Sequence, residues 1–344
     1  MNSLTLKKLD IYFLFFLNAT SSLFAAASHN ALYYVLDLRT LTFHFMHYFF
    51  SFIFFYILTK LSNINETSKL SIFSFTLLKK LLPLSLFQTL LTFLTSIVHS
   101  GNRHGSLYVL RICDCITTVV ILKCWNLFVT TKDTKEKKQE RNVEINDYWL
   151  LCPLAFFASL SWLEFGNIEY DIFSLLFAPI LAGCRGIYLL YAKNTYKEIQ
   201  KDDQNINFNN FCLNMCMITS SMLLIPAIVS ASTSVVSADA SWESIDYTLI
   251  GLSFLYMIGM KYSEFKLFLE VDLRYYAVME HTKYFFASMG QWYIQNMAHA
   301  TIYAFAGKIM YVISLIRFWL CQDKTKPIET NLTKHNDVKQ EKYF

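Results

Sequence analysis

Charged side chains are scarce in this 344-residue chain: Asp, Glu, Lys and Arg together make up 16% of it. A soluble domain carries about 25% charged residues, so the composition argues against an ordinary soluble protein. Hydrophobic residues make up 54% of the chain and aromatic residues 17%, with 31 Phe and 21 Tyr. Such a composition is typical of a chain that crosses a lipid bilayer several times.

Linkers and catalytic motifs are also missing. With 9 Gly and 5 Pro, the chain has no Gly/Pro/Ser-rich segment that would separate two domains. It contains no glycine-rich phosphate loop, no HExxH zinc motif and no hydrolase nucleophile elbow. We therefore expect a single membrane domain over residues 1–321, a polar cytoplasmic tail at 322–344, and no enzymatic activity.

Ten hydrophobic segments follow one another between Leu9 and Leu320. Each is close to the ~20 residues that a helix needs to cross the hydrocarbon core of a membrane. The sequence therefore predicts an all-α polytopic membrane protein with ten transmembrane helices. We place these at about residues 10–30, 39–60, 80–99, 106–129, 148–166, 171–192, 210–232, 246–266, 275–294 and 297–319. The first segment has some features of a cleaved signal peptide, but we expect it to remain as a helix.

Lysine and arginine alternate between the loops, and this predicts the orientation. They cluster at the N-terminus and after the second, fourth, sixth, eighth and tenth segments, whereas the opposite loops carry only Arg39 and Arg103. By the positive-inside rule both termini are cytoplasmic. The sequons at Asn65 and Asn331 are then cytoplasmic and the one at Asn18 lies inside the bilayer, so we expect none of them to be glycosylated.

Charges that remain inside the predicted spans are the candidate functional residues. A charge at a helix centre costs about 2.5–3.5 kcal/mol on insertion, so such residues face a bundle interior or a water-filled cavity. Among them we single out Arg111, Asp114, Arg185, Lys261, Lys283 and Lys308.

Each of these charges also has a structural interpretation, which for Arg185, in the cytoplasmic half of its span, is a structural ion pair. Lys283 follows Glu280 by one helical turn, so the two can form an ion pair on one helix face. Lys261 either pairs with Glu264 or extends to the cytoplasmic interface. Lys308 has no acid within a turn, which leaves a pairing across helices.

Arg111 and Lys283 suggest internal symmetry. They lie in the fourth and ninth spans, which are equivalent in an inverted repeat of five plus five helices with halves at about 10–166 and 171–319. Transporter sites lie near the midplane of such repeats, and two cations there would suit a doubly anionic substrate. Asp114, one turn from Arg111, leaves a simple helix-face ion pair as the alternative.

Cysteine and histidine spacing predicts no metal site. None of the eight cysteines has zinc-finger spacing, and we interpret them as small apolar residues in helix packing. His44 and His47 lie one turn apart, so a metal pair is conceivable, but packing or an interhelical hydrogen bond is favoured. We expect no metal and no cofactor.

Seven segments resemble, in order and spacing, those of nucleotide-sugar transporters in the drug/metabolite transporter superfamily. The resemblance covers about residues 81–319 and is greatest to the branch with UDP-glucuronic acid/UDP-N-acetylgalactosamine transporters and GDP-mannose transporters. The segments are LPLSL at 82–86, LYVLR at 107–111, IEYD at 168–171, GCRGIY at 183–188, MITSSMLLIP at 217–226, MEHTK at 279–283 and GKIMY at 307–311.

The resemblance implies alternating access and exchange of a cytosolic UDP-sugar for a lumenal nucleoside monophosphate across a Golgi or endoplasmic reticulum membrane. It implies that the ninth-helix Lys283 meets phosphate and that the base is read near the seventh-helix segment. The family's Asn pair is absent from that segment, and so are the Gly and Asn that precede its ninth-helix Lys, which argues against GDP-mannose. The candidate substrate-binding residues are Lys283, Arg111, Arg185, Thr219, Ser220, Ser221, Tyr188 and Tyr284.

Two other functions stay open: a carrier of another phosphorylated or organic anion, and a protein that keeps the transporter fold without transporting. The expected partners are the lipid bilayer, a nucleotide-sugar and a nucleoside monophosphate, and a homodimer is left open. No nucleic-acid partner is expected, because the basic loops set the orientation of the chain.

Overall fold

The computed structural model describes most of the chain between residues 10 and 322. The described residues are 10–24, 40–64, 75–101, 117, 119–121, 123–124, 145–162, 172–202, 206–232, 243–294 and 301–322. Nearly all of them are helical, and none of them lies in a β-strand. The predicted all-α fold class is therefore confirmed for this part of the chain. Arg111, Asp114 and the tail beyond residue 322 lie outside it.

The described residues form helical segments that we label α1 to α10 in chain order. The first, α1, is Asp10–Phe24, and α4 comprises the described residues between 117 and 124. The others are α2 Thr40–Ile64, α3 Phe75–Gly101, α5 Ile145–Leu160, α6 Ile172–Asp202, α7 Phe208–Ser232, α8 Ser244–Glu270, α9 Leu273–Ile294 and α10 Ile302–Gln322. Each segment overlaps one of the ten that the sequence predicts.

Four of the described helices are long and apolar enough to cross a membrane. Their apolar stretches are Leu41–Leu61, Leu77–Ile97, Phe208–Ser232 and Ile302–Cys321, in α2, α3, α7 and α10. These lengths fit the hydrocarbon thickness of a bilayer, which supports a membrane-embedded protein. Helices α6, α8 and α9 are as long, with 31, 27 and 22 residues, but they carry charged residues along their length.

Large apolar side chains cover the outside of the bundle as well as its core. On α10 alone, Ile302, Phe305, Ile309, Ile313 and Ile316 are exposed, each by at least 47%. In water a continuous apolar face of this kind is unfavourable, whereas lipid chains cover it readily. The outer surface therefore agrees with the apolar composition of the four helices.

Several helices pack against the helix five positions away in the chain. Helix α2 packs along α7, and α5 packs along α10. Helix α3 packs on α6, as α8 packs on α1, and α3 contacts α7 as α8 contacts α2. These pairings map onto one another when each helix is exchanged for the one five positions away.

Two glycines mark close helix crossings. A β-carbon on Gly307 of α10 would lie 2.7 Å from the backbone nitrogen of Ser161, just after α5. A β-carbon on Gly259 of α8 would lie 2.6 Å from the hydroxyl oxygen of Ser21 on α1. Gly307 thus lets α5 approach α10 more closely than any side chain would permit, and Gly259 leaves room for the Ser21 hydroxyl between α1 and α8.

Parts of α5, α6, α8 and α9 meet at one end of the bundle. Arg274 at the start of α9 lies 3.0 Å from the carboxylate of Asp272 and 3.5 Å from that of Asp147 at the start of α5. Lys193 on α6 donates a 3.0 Å hydrogen bond to the carbonyl of Phe268, near the end of α8. The start of α5, the C-terminal part of α6 and the turn between α8 and α9 therefore share one end.

Candidate functional site

Two ion pairs lie inside the helix bundle. Lys283 Nζ on α9 is 2.8 and 2.9 Å from the two carboxylate oxygens of Glu280, and both side chains are at least nine-tenths buried. Arg185 on α6 pairs with Glu264 on α8. Taking an ion out of water costs several kcal/mol unless a partner compensates, so these pairings keep the charges stable in the interior.

Asn18 connects α1 to these charges. Its side-chain nitrogen donates to the Ser263 hydroxyl at 3.1 Å and to the Met260 carbonyl at 3.3 Å, both on α8. Its side-chain oxygen accepts a hydrogen bond from Lys283 Nζ at 3.5 Å. Asn18 is 2% exposed, so this sequon has its amide enclosed by the fold.

Lys261 on α8 contacts an aromatic ring instead of a carboxylate. Its Nζ lies 3.9 Å from the ring centroid of Tyr48 on α2. Within the described part of the chain, its ammonium has no ion-pair or hydrogen-bond partner, although Glu264 lies near enough to interact electrostatically. The sequence offered Glu264 or the cytoplasmic interface for Lys261, but in the structure the guanidinium of Arg185, on α6, hydrogen-bonds that carboxylate.

Lys261, Arg185, Lys283, Glu264 and Glu280 form what we call the central charged cluster. Glu264 is at its centre, since it interacts electrostatically with all three cations. In their ionised forms, three cations and two carboxylates leave one net positive charge. An apolar bundle with this excess charge in its interior attracts an anion.

The two candidate tyrosines lie beside the central charged cluster, and both are packed. Tyr188 on α6 is 4% exposed, and its ring meets Phe87 and Phe265 edge-on at centroid distances of 5.9 and 6.1 Å. The Tyr284 ring centroid is 5.1 Å from Lys283 Nζ, and its backbone carbonyl accepts a 3.1 Å hydrogen bond from the Trp162 indole. Stacking a base on either ring would require these neighbours to move.

The three seventh-helix candidates have different environments. Thr219 is fully buried, and its hydroxyl has no hydrogen-bond partner among the described residues. Ser220 is also buried, and its hydroxyl donates to the Met217 carbonyl at 3.0 Å. Ser221 is exposed on the outside of α7 and donates to the same carbonyl at 2.8 Å. Thr219 is therefore the one of the three with an unused hydroxyl in the interior.

Arg111 lies outside the described residues, as do Asp114 and the neighbouring segment of the fourth span. The expected symmetry between Arg111 and Lys283 accordingly stays a prediction.

Lys308 lies away from the central charged cluster. Its Nζ donates a 2.8 Å hydrogen bond to the carbonyl of Ser161, directly after the last residue of α5, and lies 5.9 Å from the Trp292 ring centroid. The last carbonyls of a helix have no partner within it, and a cation stabilises them. This contact across helices explains Lys308 without a ligand.

His44 and His47 pack against aromatic residues of the bundle. Their ring centroids are 6.3 Å apart, and the His47 ring meets Phe43 at 4.2 Å and Phe254 at 5.2 Å. Over the ranges that the structure describes, no group of three His, Cys, Asp or Glu side chains could hold a metal ion.

Tyr48, Gln88 and Asn18 lie at this site, and the sequence pattern did not predict them as site residues. Gln88 on α3 donates a hydrogen bond to the Tyr48 hydroxyl, so the two side chains meet beside Lys261. Gln88 and Asn18 are amides within otherwise apolar segments, and an amide there needs a partner on another helix. The polarity of these amides was the feature of the sequence that could have identified Gln88 and Asn18 as site residues.

Comparison with known proteins concerns the fold alone. No family model matches the chain, and no curated protein matches it. Among solved structures, one described as "Crystal structure of protein" is similar, with a TM-score of 0.55 and 10% identity. The similarity covers 89% of this chain and 94% of that chain, so this arrangement of helices occurs in a solved protein at nearly its full extent.

Proposed function

We propose that the chain is a membrane carrier that exchanges a cytosolic UDP-sugar for a lumenal nucleoside monophosphate by alternating access. The observation that carries this proposal is the central charged cluster, in which Arg185, Lys261 and Lys283 outnumber Glu264 and Glu280 inside an apolar bundle. A nucleotide-sugar brings a diphosphate, which compensates that excess where water is largely excluded. The substrate class comes from the resemblance in the sequence.

The helix packing supports alternating access. Carriers of this kind are commonly built from two repeats that rock around a central site. In a repeat of five plus five helices, each helix pairing maps onto one formed by the helices five positions away. The pairings of α2 with α7 and of α5 with α10 fit this rule. So do those of α3 with α6 and of α8 with α1. Ten spans and this repeat are therefore part of the proposal.

The ionic network around Arg274 supports the proposed topology. It brings together the start of α5, the C-terminal part of α6 and the turn between α8 and α9. These regions adjoin three of the loops that are rich in Lys and Arg, and the positive-inside rule makes that end cytoplasmic. We accordingly propose that both termini lie in the cytosol. The Golgi or endoplasmic reticulum membrane comes, like the substrate class, from the resemblance in the sequence.

Buried charges favour a transport function over a structural one. Well-packed apolar residues of similar volume often stabilise a protein as well as a buried ion pair does. A scaffold with the same fold thus gains little stability from the five charges of the cluster. A carrier uses them, because they attract an anionic solute into an apolar bundle.

The packed rings of Tyr188 and Tyr284 favour one alternative, a carrier of a smaller phosphorylated anion that needs no stacked base. Uptake into liposomes containing the purified protein separates the two functions. We would test UDP-, GDP- and CMP-sugars, inorganic phosphate and a sugar phosphate, with and without the matching nucleoside monophosphate inside.

We expect UDP-sugar uptake that depends on internal nucleoside monophosphate. Uptake of phosphate or sugar phosphate alone would support the alternative. No uptake of any solute by folded, monodisperse protein would contradict transport of this substrate class.

A further inference from the structure

We infer that Lys261, Tyr48 and Gln88 form an oxyanion subsite that holds a phosphate group of the transported solute. This inference rests on the proposed function, and it locates the phosphate contact at a different lysine from the one that the resemblance implies. The subsite lies between α2, α3 and α8, beside the carboxylate of Glu264. We call it the Lys261 subsite.

The unused hydrogen-bonding groups of the Lys261 subsite are mostly donors. A lysine ammonium has three N–H groups, and within the described chain those of Lys261 face the Tyr48 ring at 3.9 Å without an acceptor. The Tyr48 hydroxyl accepts a hydrogen bond from Gln88, which leaves its own proton free to donate. Gln88 retains a second N–H. Donors on three neighbouring side chains, one of them charged, suit the oxygens of an anion.

Lys261 differs from Lys283 and Arg185 in how strongly its present partners bind its charged group. An anion that binds Lys283 must compete with both oxygens of Glu280, at 2.8 and 2.9 Å. An anion that binds Arg185 must compete with Glu264. At Lys261 it displaces a contact with an aromatic ring and competes with the electrostatic attraction of Glu264, which makes no hydrogen bond to Lys261 among the described residues. Both interactions are weaker than a hydrogen-bonded buried ion pair. The solute therefore meets least competition at Lys261.

The Lys261 subsite joins the two halves of the chain. Lys261 and Gln88 are partly exposed, whereas Tyr48 is 6% exposed and holds its ring fixed. Tyr48 and Gln88 belong to the first five helices and Lys261 to the last five. A phosphate held by all three side chains contacts both proposed repeats, which is the position from which a solute influences their relative movement.

Binding of inorganic phosphate and of UMP to the purified full-length protein in nanodiscs tests the subsite. We expect Lys261→Gln to weaken phosphate affinity about tenfold or more, because a charge-assisted interaction is lost. Lys261→Arg should keep affinity near that of the wild type, and Tyr48→Phe should weaken it by a smaller factor. Lys266→Gln is the matched control: Lys266 lies on the same helix and also contacts a tyrosine, with its Nζ 5.6 Å from the Tyr262 ring centroid.

The outcomes separate this inference from the proposed function. Unchanged phosphate affinity in folded Lys261→Gln, or an equal loss in Lys266→Gln, would overturn the subsite. Normal UDP-sugar uptake by Lys261→Gln in liposomes would also overturn it, while leaving the carrier function intact. A third outcome is that phosphate binding depends on Lys261 but the wild type takes up no nucleotide-sugar. That result would support the subsite and contradict the proposed substrate. A wild type that binds neither phosphate nor UMP overturns the subsite directly.

Discussion

Lys283 and Glu280 form a buried ion pair on α9, one helical turn apart, with Lys283 Nζ 2.8 Å from Glu280 Oε1. The lysine that the resemblance assigns to phosphate therefore already has a carboxylate partner. Asn18 accepts a further hydrogen bond from the same ammonium at 3.5 Å. The pair is neutral as a unit, so it contributes nothing to the net charge of the central charged cluster.

Removing Lys283 alone should impair both folding and transport. Lys283→Ala leaves Glu280 charged and buried, and loss of one partner of a buried pair destabilises a protein by about 3–5 kcal/mol. We expect Lys283→Met with Glu280→Met to regain stability and uptake, because the net charge of the cluster is unchanged. The measurements are the thermal midpoint and the uptake per folded molecule. Stability regained without uptake would show that Lys283 contacts the solute.

Glu264→Gln should strengthen phosphate binding while lowering stability. The substitution keeps the shape of the side chain but removes the carboxylate that interacts with Arg185, Lys261 and Lys283. The net charge of the cluster then rises from one to two, and Arg185 loses its ionic partner. Phosphate titration and thermal unfolding of the same preparation measure the two effects. Weaker phosphate binding by the folded variant would contradict an electrostatic role for the cluster.

The local part of this site could be predicted from the sequence, whereas its long-range contacts could not. Lys283 and Glu280 are three residues apart, and helix geometry alone places such residues on one face. The contacts of Arg185 with Glu264 and of Lys261 with Tyr48 join different helices. They depend on which faces pack together, and apolar segments do not encode this, because lipid-facing and protein-facing residues are equally apolar.

The positions of the described helices follow from the hydropathy of the sequence. A bilayer requires about 20 apolar residues per crossing, so the length of each hydrophobic segment is informative. Hydropathy is less informative about where a helix ends. Helix α6 continues to Asp202, beyond the predicted end at 192, through a polar segment that includes Lys193 and Lys197. Nothing in hydropathy marks where a helix ends once it has left the membrane.

Gly307→Ala should destabilise the protein more than an equivalent change elsewhere. The new β-carbon would meet the backbone of Ser161 at 2.7 Å and that of Leu160 at 2.8 Å, so α5 and α10 would have to separate. Overpacking of this kind typically costs about 1–3 kcal/mol. Gly290→Ala is the control, because no atom lies within 4 Å of the position of its β-carbon. A thermal midpoint in Gly307→Ala equal to that of Gly290→Ala would contradict the close packing.

Stability should rise with pH through a contribution from Lys193. This residue lies on α6 beyond the predicted membrane span, and burial lowers its pKa from 10.5 to about 8, with Asp272 opposing the shift. Between these values the unfolded chain holds a proton that the folded chain has released, so stability increases from pH 8 towards pH 10.5.

Thermal midpoints of the wild type and of Lys193→Met, measured across this pH range, isolate the contribution of Lys193. The wild type should gain more than the variant as pH rises. Parallel pH profiles for the wild type and Lys193→Met would contradict the assignment.

The contact of Asn18 with Met260 has a consequence for biosynthesis. The two residues are 242 positions apart, so the ribosome completes α1 long before it makes α8. At about 5–20 residues per second, α1 waits roughly 10–50 s for its partner. In the proposed topology, the amide of Asn18 is inside the membrane during that interval without the Met260 carbonyl, the Ser263 hydroxyl or the Lys283 ammonium. The first helix to be made is thus among the last to reach its final contacts, and a membrane chaperone or translocon that shelters a polar residue has time to act on it.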